Sequence, residues 1–243
     1  MAEPPRIPII LTGTIVPPMA GKVKMAAVNP QIRRSEYLAS IAYYRQFAPV
    51  YFIENSSYPL LQDPDFAPQP DFFPRQFPIS EHPERGKGYQ EFEMLDRWLE
   101  QEENPPPVWM KISGRYRIQN AAELLAAYST STPPPLVIDQ SPLKRFARTY
   151  LFLATTAYYQ KRVRGVYTRC DDTKGKWIER VLFRALREDP DRSFELFRIY
   201  PVVEAIQGTT GKRLSKSAFG LALRNKLRAF NLKVDRRYLR FSR

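Results

Sequence analysis

Apolar and polar positions alternate in blocks along the chain, and the blocks predict strands and helices in turn. Apolar runs rich in β-branched residues predict strands at 7–17, 49–57, 108–116 and 136–140. A continuous apolar run of this length is typical of a strand that is covered on both faces, as in a parallel sheet.

The segments between these runs carry apolar residues three and four positions apart, which is the spacing of an amphipathic helix. It predicts helices at 31–47, 86–103 and 120–129. Strands that alternate with helices in this way predict an α/β fold, with a mostly parallel central sheet flanked by helices. We therefore expect one Rossmann-like domain.

The remaining segments of residues 1–212 give less regular patterns. Residues 59–83 contain seven prolines, which predict no regular element, but interleaved phenylalanines predict an ordered flap. Residues 148–163 are β-branched and aromatic and predict one or two strands. A helix is expected within 170–189, and a short strand with a Gly/Thr-rich loop within 197–212.

Charge separates the C-terminus from the rest. The chain has a net charge of +13, and residues 212–243 carry eleven Lys/Arg against one acid, Asp235. Such a basic extension, predicted helical at 215–230, suits an anionic membrane face or nucleic acid, or is only a solubilising surface. We expect domain boundaries at 1–211 and 212–243.

Composition excludes several classes of protein. With one cysteine, Cys170, and one histidine, His82, neither an intrachain disulfide nor a zinc site is expected. No apolar run is long enough to span a bilayer, and the proline-broken run at 7–17 is too short for a signal peptide. These features predict a cytoplasmic protein.

The strand ends are the places where chemistry is expected, because open parallel sheets bind ligands at the carboxyl ends of their strands. Thr12, Gly13 and Thr14 end the first predicted strand, and Glu54 and Asn55 end the second. These five residues are candidates for ligand binding.

Cations cluster where the third strand ends. Lys111, Arg115 and Arg117 lie within seven residues, and Gly114 would let a ligand approach the backbone. A guanidinium is a planar donor suited to diphosphate. The pattern favours an anion-binding cradle, with salt bridges at the rim of the domain as the alternative.

A second anion site is predicted at Lys87 and Gly88, where a glycine-rich turn enters a helix. Free N–H groups at a helix N-terminus attract anions, and Lys87 adds a positive charge. An ordinary helix start is the alternative reading.

Two acids near the predicted helix in 170–189 are candidates for a general base. Asp172 precedes that helix and Glu179 lies about one turn inside it. Either carboxylate could take a proton from a hydroxyl group, and Glu179 could instead position a sugar hydroxyl. Asp172 could instead cap the helix, and Glu179 could be a solvated surface residue.

Six motifs in order resemble those of small bacterial glycosyltransferases from capsule and O-antigen clusters. The motifs are Leu11-Thr12-Gly13-Thr14; Asn29-Pro30 with Arg33; Glu54-Asn55-Ser56; Gly86-Lys87-Gly88-Tyr89 with Glu91; Lys111-Ile112-Ser113-Gly114-Arg115-Tyr116; and Gly208-Thr209-Thr210-Gly211-Lys212. The resemblance covers roughly residues 7–212.

This resemblance implies a single GT-A-like domain that takes a nucleotide-sugar as donor. It adds Arg33 to the donor-binding residues, and it places Thr209, Thr210 and Lys212 near the acceptor or a phosphate. The acceptor would be a glycan or a glycan linked to polyprenyl diphosphate. The basic extension would then hold the enzyme on the inner face of the cytoplasmic membrane.

The chain departs from the implied family in its metal motif. In GT-A enzymes an Asp-x-Asp motif after a central strand holds a divalent metal on the donor diphosphate. Here the spacing occurs only at Asp63-Pro64-Asp65, in the flap, and at Asp189-Pro190-Asp191, at a helix end. We therefore expect no metal and no other cofactor.

The leading hypothesis is thus a metal-independent glycosyltransferase. Lys87, Lys111 and Arg115 would neutralise the leaving diphosphate, and Glu179 or Asp172 would deprotonate the acceptor if the reaction inverts. A retaining enzyme would need no such base. The alternatives are a basic nucleic-acid-binding protein without enzymatic activity, which the small charge of residues 1–211 disfavours, and an inactive scaffold in a polysaccharide complex.

Overall fold

The computed structural model describes residues 6–17, 29–141, 144–191, 193–206 and 213–214. The predicted helix at 215–230, the basic extension beyond 214 and the Gly/Thr-rich loop at 207–212 lie outside these residues.

A seven-stranded sheet forms the centre of the molecule, in the order β3-β2-β1-β4-β7-β6-β8. Its first four strands are parallel, and β6 and β8 run in the same direction as these, so β7 alone is antiparallel. A second sheet has the order β10-β9-β5. The strands are β1 (Ile9–Gly13), β2 (Val50–Glu54), β3 (Phe72–Gln76), β4 (Val108–Ser113), β5 (Arg117–Ile118), β6 (Leu136–Ser141), β7 (Phe146–Thr155), β8 (Phe194–Glu195), β9 (Val203–Ile206) and β10 (Arg213–Leu214).

Helices cover both faces of the large sheet. They are α1 (Pro30–Tyr44), α2 (Lys87–Gln101), α3 (Ala121–Tyr128), α4 (Thr156–Tyr158) and α5 (Ile178–Glu188). Apolar residues of α1 and α3 belong to one buried cluster, and those of α2 and α5 belong to another. The predicted α/β fold, with its mostly parallel central sheet, is confirmed. No helix in the described ranges is both long enough and apolar enough to cross a membrane.

Alternation along the strands sends successive side chains to opposite clusters. In β1, Ile10 packs with α2 and α5, whereas Ile9 and Leu11 pack with α1 and α3. In β4, Trp109 lies on the α2 side and Met110 on the α1 side. Lys111 is therefore directed toward α2, which determines its surroundings.

The prediction of no regular element in 59–83 was wrong. Strand β3 lies there, parallel to β2, and includes Pro74. Proline is tolerated because β3 is an edge strand, where one row of N–H groups needs no partner. Two 3₁₀ turns precede it, and Phe66, Phe72 and Phe77 are buried.

The prediction of strand through 148–163 was wrong in its second half. After β7 the chain enters α4 and then a π-helical turn at Tyr159–Val163. Thr155 starts this change, because its hydroxyl accepts the N–H of Tyr158 as a helix cap. Tyr159 is fully buried and donates to Asp96 of α2, at 2.9 Å. Tertiary contacts thus override the β-propensity of this segment.

Candidate functional site

The carboxyl ends of β1, β2 and β4 meet at one edge of the sheet. Gly13 is paired with Glu54, and Thr12 is paired with Ser113. Helix α2 reaches this edge because its Glu91 accepts the Thr12 hydroxyl. The start of α5 packs against it, since a Cβ atom on Gly88 would lie 2.2 Å from Cγ2 of Ile178. Eleven of the sixteen candidate residues lie on these elements or the loops that follow them. Arg33 lies on α1 and Asp172 in the turn before α5, whereas Thr209, Thr210 and Lys212 lie outside the described residues.

A buried carboxylate fixes the loop that follows β1. Glu54 has no exposed surface and accepts the backbone N–H groups of Ile15 and Ser56, each at 2.9 Å. Burial raises the pKa of Glu54, and these N–H groups partly oppose that rise. Glu54 thus determines the path of the backbone on which Thr14 sits.

Arg33 joins helix α1 to the same loop. Its Nε donates to the carbonyl oxygen of Thr14 at 2.7 Å, and the Thr14 hydroxyl donates to Oδ1 of Asn55 at 2.8 Å. Arg33 is buried, at 6% exposure. In this conformation the predicted donor-binding residues Arg33, Thr14 and Asn55 bind one another and shape the edge of the sheet.

The glycines at this edge allow chain segments to pack closely. The N–H of Gly114 donates to the carbonyl oxygen of Thr12 at 2.9 Å, and a Cβ atom on Gly114 would lie 2.7 Å from that oxygen. A Cβ atom on Gly13 would lie 2.5 Å from the Phe52 ring. The close contact between β4 and β1 is thus sufficient to explain why position 114 is a glycine. The sequence had predicted that Gly114 lets a ligand approach.

Lys111 is the main correction to the predicted cradle. Its side chain has no exposed surface, and its Nζ lies 2.6 Å from Oε1 of Glu91 and 2.8 Å from the carbonyl oxygen of Thr149. Burial lowers the pKa of Lys111, whereas Glu91 raises it. Lys111 therefore binds a carboxylate inside the protein and does not reach a ligand directly.

Arg115 and Lys87 remain at the surface of the edge. Arg115 pairs with Glu36 at 2.9 Å. Lys87 is exposed, and within the described ranges no carboxylate lies within 4 Å of its Nζ. Loss of hydration lowers the pKa of Lys87, and the positive charges of Arg33 and Arg115 lower it further. Three cations therefore lie close enough to repel one another.

Asp172 occupies the N-terminus of α2. Its carboxylate accepts the backbone N–H of Lys87, and a Cβ atom on Gly86, which has φ +106°, would lie 2.0 Å from its Oδ2. Asp172 was a candidate general base, with a cap on the helix that follows it in sequence as the alternative. It instead caps a helix from elsewhere in the chain, while Asp171 caps the 3₁₀ turn Asp172–Lys174. The predicted anion site at this N-terminus thus already contains a carboxylate.

Glu179 lies in the first turn of α5, and its side chain has no hydrogen bond to another described side chain. Burial raises the pKa of Glu179, and the nearby negative charges of Glu91 and Asp172 raise it further. Lys111 acts in the opposite direction. A carboxylate with a raised pKa accepts a proton more readily, as a general base must.

Glu91 was missed as a site residue, although its motif was recognised. Its Oε1 accepts the hydroxyl groups of Thr12 and Ser113 as well as the ammonium of Lys111. Its spacing was the available signal, because Glu91 follows Lys87 and Gly88 by four and three positions and so shares their helix face. Its contacts with Thr12 and Lys111 depend on how α2 docks on the sheet, which local sequence does not give.

Neither Asp-Pro-Asp motif is arranged to hold a metal. Asp63 lies 2.7 Å from Nε of Arg34, which also binds Asp65. Asp189 and Asp191 both bind Arg162, each at 3.1 Å. No group of three or more His, Cys, Asp or Glu that could hold a metal ion occurs among the described residues.

Comparison with known proteins does not place the chain in a family. No protein-family model and no curated protein matches it. One similar solved structure is the "Putative Glucose-1-Phosphate Thymidylyltransferase" from Bacillus anthracis, in complex with a sucrose. It is 12% identical, with a TM-score of 0.40 over 91% of this chain and 94% of that chain. A similarity this distant does not identify an activity.

Proposed function

We propose that this protein is a transferase that uses a nucleotide-sugar, and specifically a glycosyltransferase acting at the carboxyl edge of β1, β2 and β4. The observation that carries the proposal is the group of three neighbouring cations, Lys87, Arg33 and Arg115, at that edge, of which Arg115 pairs with Glu36. Like charges held together raise the free energy of the empty site, and an anion bound between them lowers it. A donor diphosphate supplies two negative groups.

In the proposed reaction the acceptor hydroxyl oxygen attacks the anomeric carbon of the donor sugar. The bond from that carbon to the diphosphate oxygen breaks, and its electron pair leaves with the diphosphate. Lys87 and Arg115 stabilise the negative charge that grows there. For inversion, Glu179 takes the hydroxyl proton, and its raised pKa supports this assignment.

We further propose that the transfer proceeds without a divalent metal. Both candidate metal motifs are engaged by arginines, so their carboxylates do not converge on an open position. Transfer measured in excess EDTA should retain its rate, because protein cations neutralise the diphosphate. Loss of transfer on chelation, with recovery on adding Mn²⁺, would contradict the metal-free version.

Thermal-shift measurements with UDP-, GDP-, dTDP- and CMP-sugars test the donor. A donor at a hundred times its Kd adds about 2.7 kcal/mol to the free energy of unfolding, which gives a clear rise in Tm. If none of these donors shifts the Tm, the proposal fails.

Charge removal at the edge tests which cations bind the diphosphate. Lys87→Ala and Arg115→Ala should each weaken nucleoside-diphosphate binding about tenfold, because each removes a charge-assisted contact. Arg115→Ala should also lower kcat about a hundredfold. Arg117→Ala is the matched control, since the Arg117 guanidinium lies over the Tyr43 ring, 4.9 Å from its centroid. If Lys87→Ala and Arg115→Ala bind the nucleoside diphosphate as tightly as Arg117→Ala does, then neither Lys87 nor Arg115 contacts the diphosphate.

A further inference from the structure

Glu91 is held by three donors at the edge of the sheet. Its Oε1 accepts from Lys111 at 2.6 Å, from Ser113 at 3.1 Å and from the Thr12 hydroxyl. These three donors come from both β1 and β4, so the position of Glu91 is fixed relative to the strands that carry the site.

The second oxygen of Glu91 is available. Among the described residues, Oε2 accepts no hydrogen bond, and the side chain is 24% exposed. A carboxylate oxygen is a strong acceptor and favours a donor such as a hydroxyl group. Glu91 thus presents one fixed acceptor to the edge of the sheet.

Glu91 lies near the proposed base and near the buried ammonium of Lys111. Burial raises the pKa of Tyr116, the charges of Glu91 and Glu179 raise it further, and Arg115 opposes them, so all three charged groups lie near the Tyr116 hydroxyl. The charge of Glu91 also raises the pKa of Glu179. A sugar whose diphosphate binds Arg115 and whose anomeric carbon faces Glu179 would therefore pass beside Glu91.

We propose that Glu91 binds a free hydroxyl group on the ring of the donor sugar and so selects donors that carry one there. Lys111 is its positioning residue, because the buried ammonium holds Oε1 and leaves Oε2 directed at the sugar. The inference rests on the proposed function, and it deepens that function by naming the recognised group. It also gives a role to a fully buried lysine that cannot reach the diphosphate.

The test compares two affinities, one for the nucleotide-sugar that binds the wild type and one for the matching nucleoside diphosphate. Glu91→Gln should weaken binding of the nucleotide-sugar about tenfold and leave binding of the diphosphate unchanged. Glu91→Asp keeps the charge beside Lys111 but shortens the side chain by one methylene, and it should show the same selective loss. The control is Glu100→Gln, on the same helix, whose exposed carboxylate pairs with Arg164.

Each outcome decides between the two proposals. Equal losses for both ligands would show that Glu91 only maintains the structure, and no loss for either would show that it does not touch the sugar; both results overturn the inference while the proposed function stands. If the folded wild type binds neither ligand, the proposed function itself fails. If Glu91→Gln does not fold, Glu91→Asp provides the same comparison of the two affinities.

Discussion

Asp96 shows how burial sets the chemistry of a single residue. Its carboxylate is 5% exposed and accepts the hydroxyl of Tyr159 at 2.9 Å and the N–H of Gly165 at 2.7 Å. Burial nevertheless raises the pKa of Asp96 to about 6, and the charge of Glu100 adds to this rise. The residue ties α2 to the turn after α4, close to the other end of the helix that carries Glu91.

A raised acid pKa makes stability fall as pH rises. Between pH 3.8 and about 6 the folded protein holds a proton on Asp96 that the unfolded chain has lost. The difference between these pKa values corresponds to about 3 kcal/mol of the free energy of unfolding, and the protein loses this amount between about pH 4 and pH 7. Asp96→Asn removes this dependence, so the free energy of unfolding of the variant relative to wild type should rise across that range.

Denaturant unfolding at several pH values measures the effect. The asparagine amide of the variant could fit less well beside Gly165. Such a cost would lower the free energy of unfolding equally at every pH, so its dependence on pH would not change. Asp63→Asn is the control, because Arg34 holds the pKa of Asp63 below its usual value and both states keep that carboxylate ionised above pH 5. A relative stability of Asp96→Asn that does not change with pH would show that Asp96 is ionised in the folded protein.

At the scale of elements, the N-terminus of α2 depends on a residue from a distant loop. Gly86 adopts φ +106°, a conformation that favours glycine, and this brings the helix start against Asp172. The carboxylate of Asp172 then accepts the N–H of Lys87. The position of Lys87, and so of the proposed diphosphate site, is tied to the segment between Cys170 and α5.

Replacing Asp172 separates capping from charge. Asp172→Ala should lower the free energy of unfolding by about 1 kcal/mol, whereas Asp172→Asn should keep most of that stability because its amide oxygen can accept the same N–H. Thermal or denaturant unfolding measures both. Asp171→Ala, which affects only the 3₁₀ turn, is the comparison. Equal losses for the alanine and asparagine variants of Asp172 would mean that the cap contributes little.

Sequence patterns predicted the buried strands and the helices that bury one face against the sheet. Strands β1, β2, β4 and β6 are continuous apolar runs, and α1, α2, α3 and α5 show the spacing of amphipathic helices. Strand β3 was missed because proline is normally excluded from a sheet and is allowed here only by the edge position. The turn at Tyr159–Val163 was misassigned because its contact with Asp96 joins residues far apart in sequence.

The same distinction holds for the site. Cations at the end of β4 were predicted from a short stretch, and Arg115 lies at the surface of the edge as expected. The burial of Lys111 against Glu91 could not be predicted, because alternation fixes only the face of β4 and not which helix covers it. The cap that joins Asp172 to Lys87 could not be predicted either, because the two residues are far apart in sequence.

For the whole molecule, charge is divided between the α/β body and the residues beyond it. The segment 212–243 carries a net charge of +10 of the total +13. Its first described residues, in β10, pair with β9, which also pairs with β5, a strand that begins two residues after Arg115. The small sheet thus connects the start of the basic segment to the edge of the site.

Deletion of residues 215–243 should abolish binding to anionic phospholipid vesicles and leave nucleotide-sugar affinity unchanged. The deleted residues carry nine Lys/Arg and one acid, and basic residues near an anionic surface contribute about 1 kcal/mol each. Co-sedimentation with vesicles at rising salt measures this binding, which should weaken as screening increases. Neutral vesicles are the control for binding that does not depend on charge.

The same deletion distinguishes a membrane partner from nucleic acid. Phosphates of a nucleic acid would also attract the segment, with affinity that falls steeply with salt. A full-length chain that shifts nucleic acid on a gel, ignores anionic vesicles and binds no nucleotide-sugar would favour the nucleic-acid-binding alternative. Vesicle binding together with donor binding would instead place the transfer reaction at a membrane surface, where a lipid-linked acceptor has both its sugar and its diphosphate within reach of the protein.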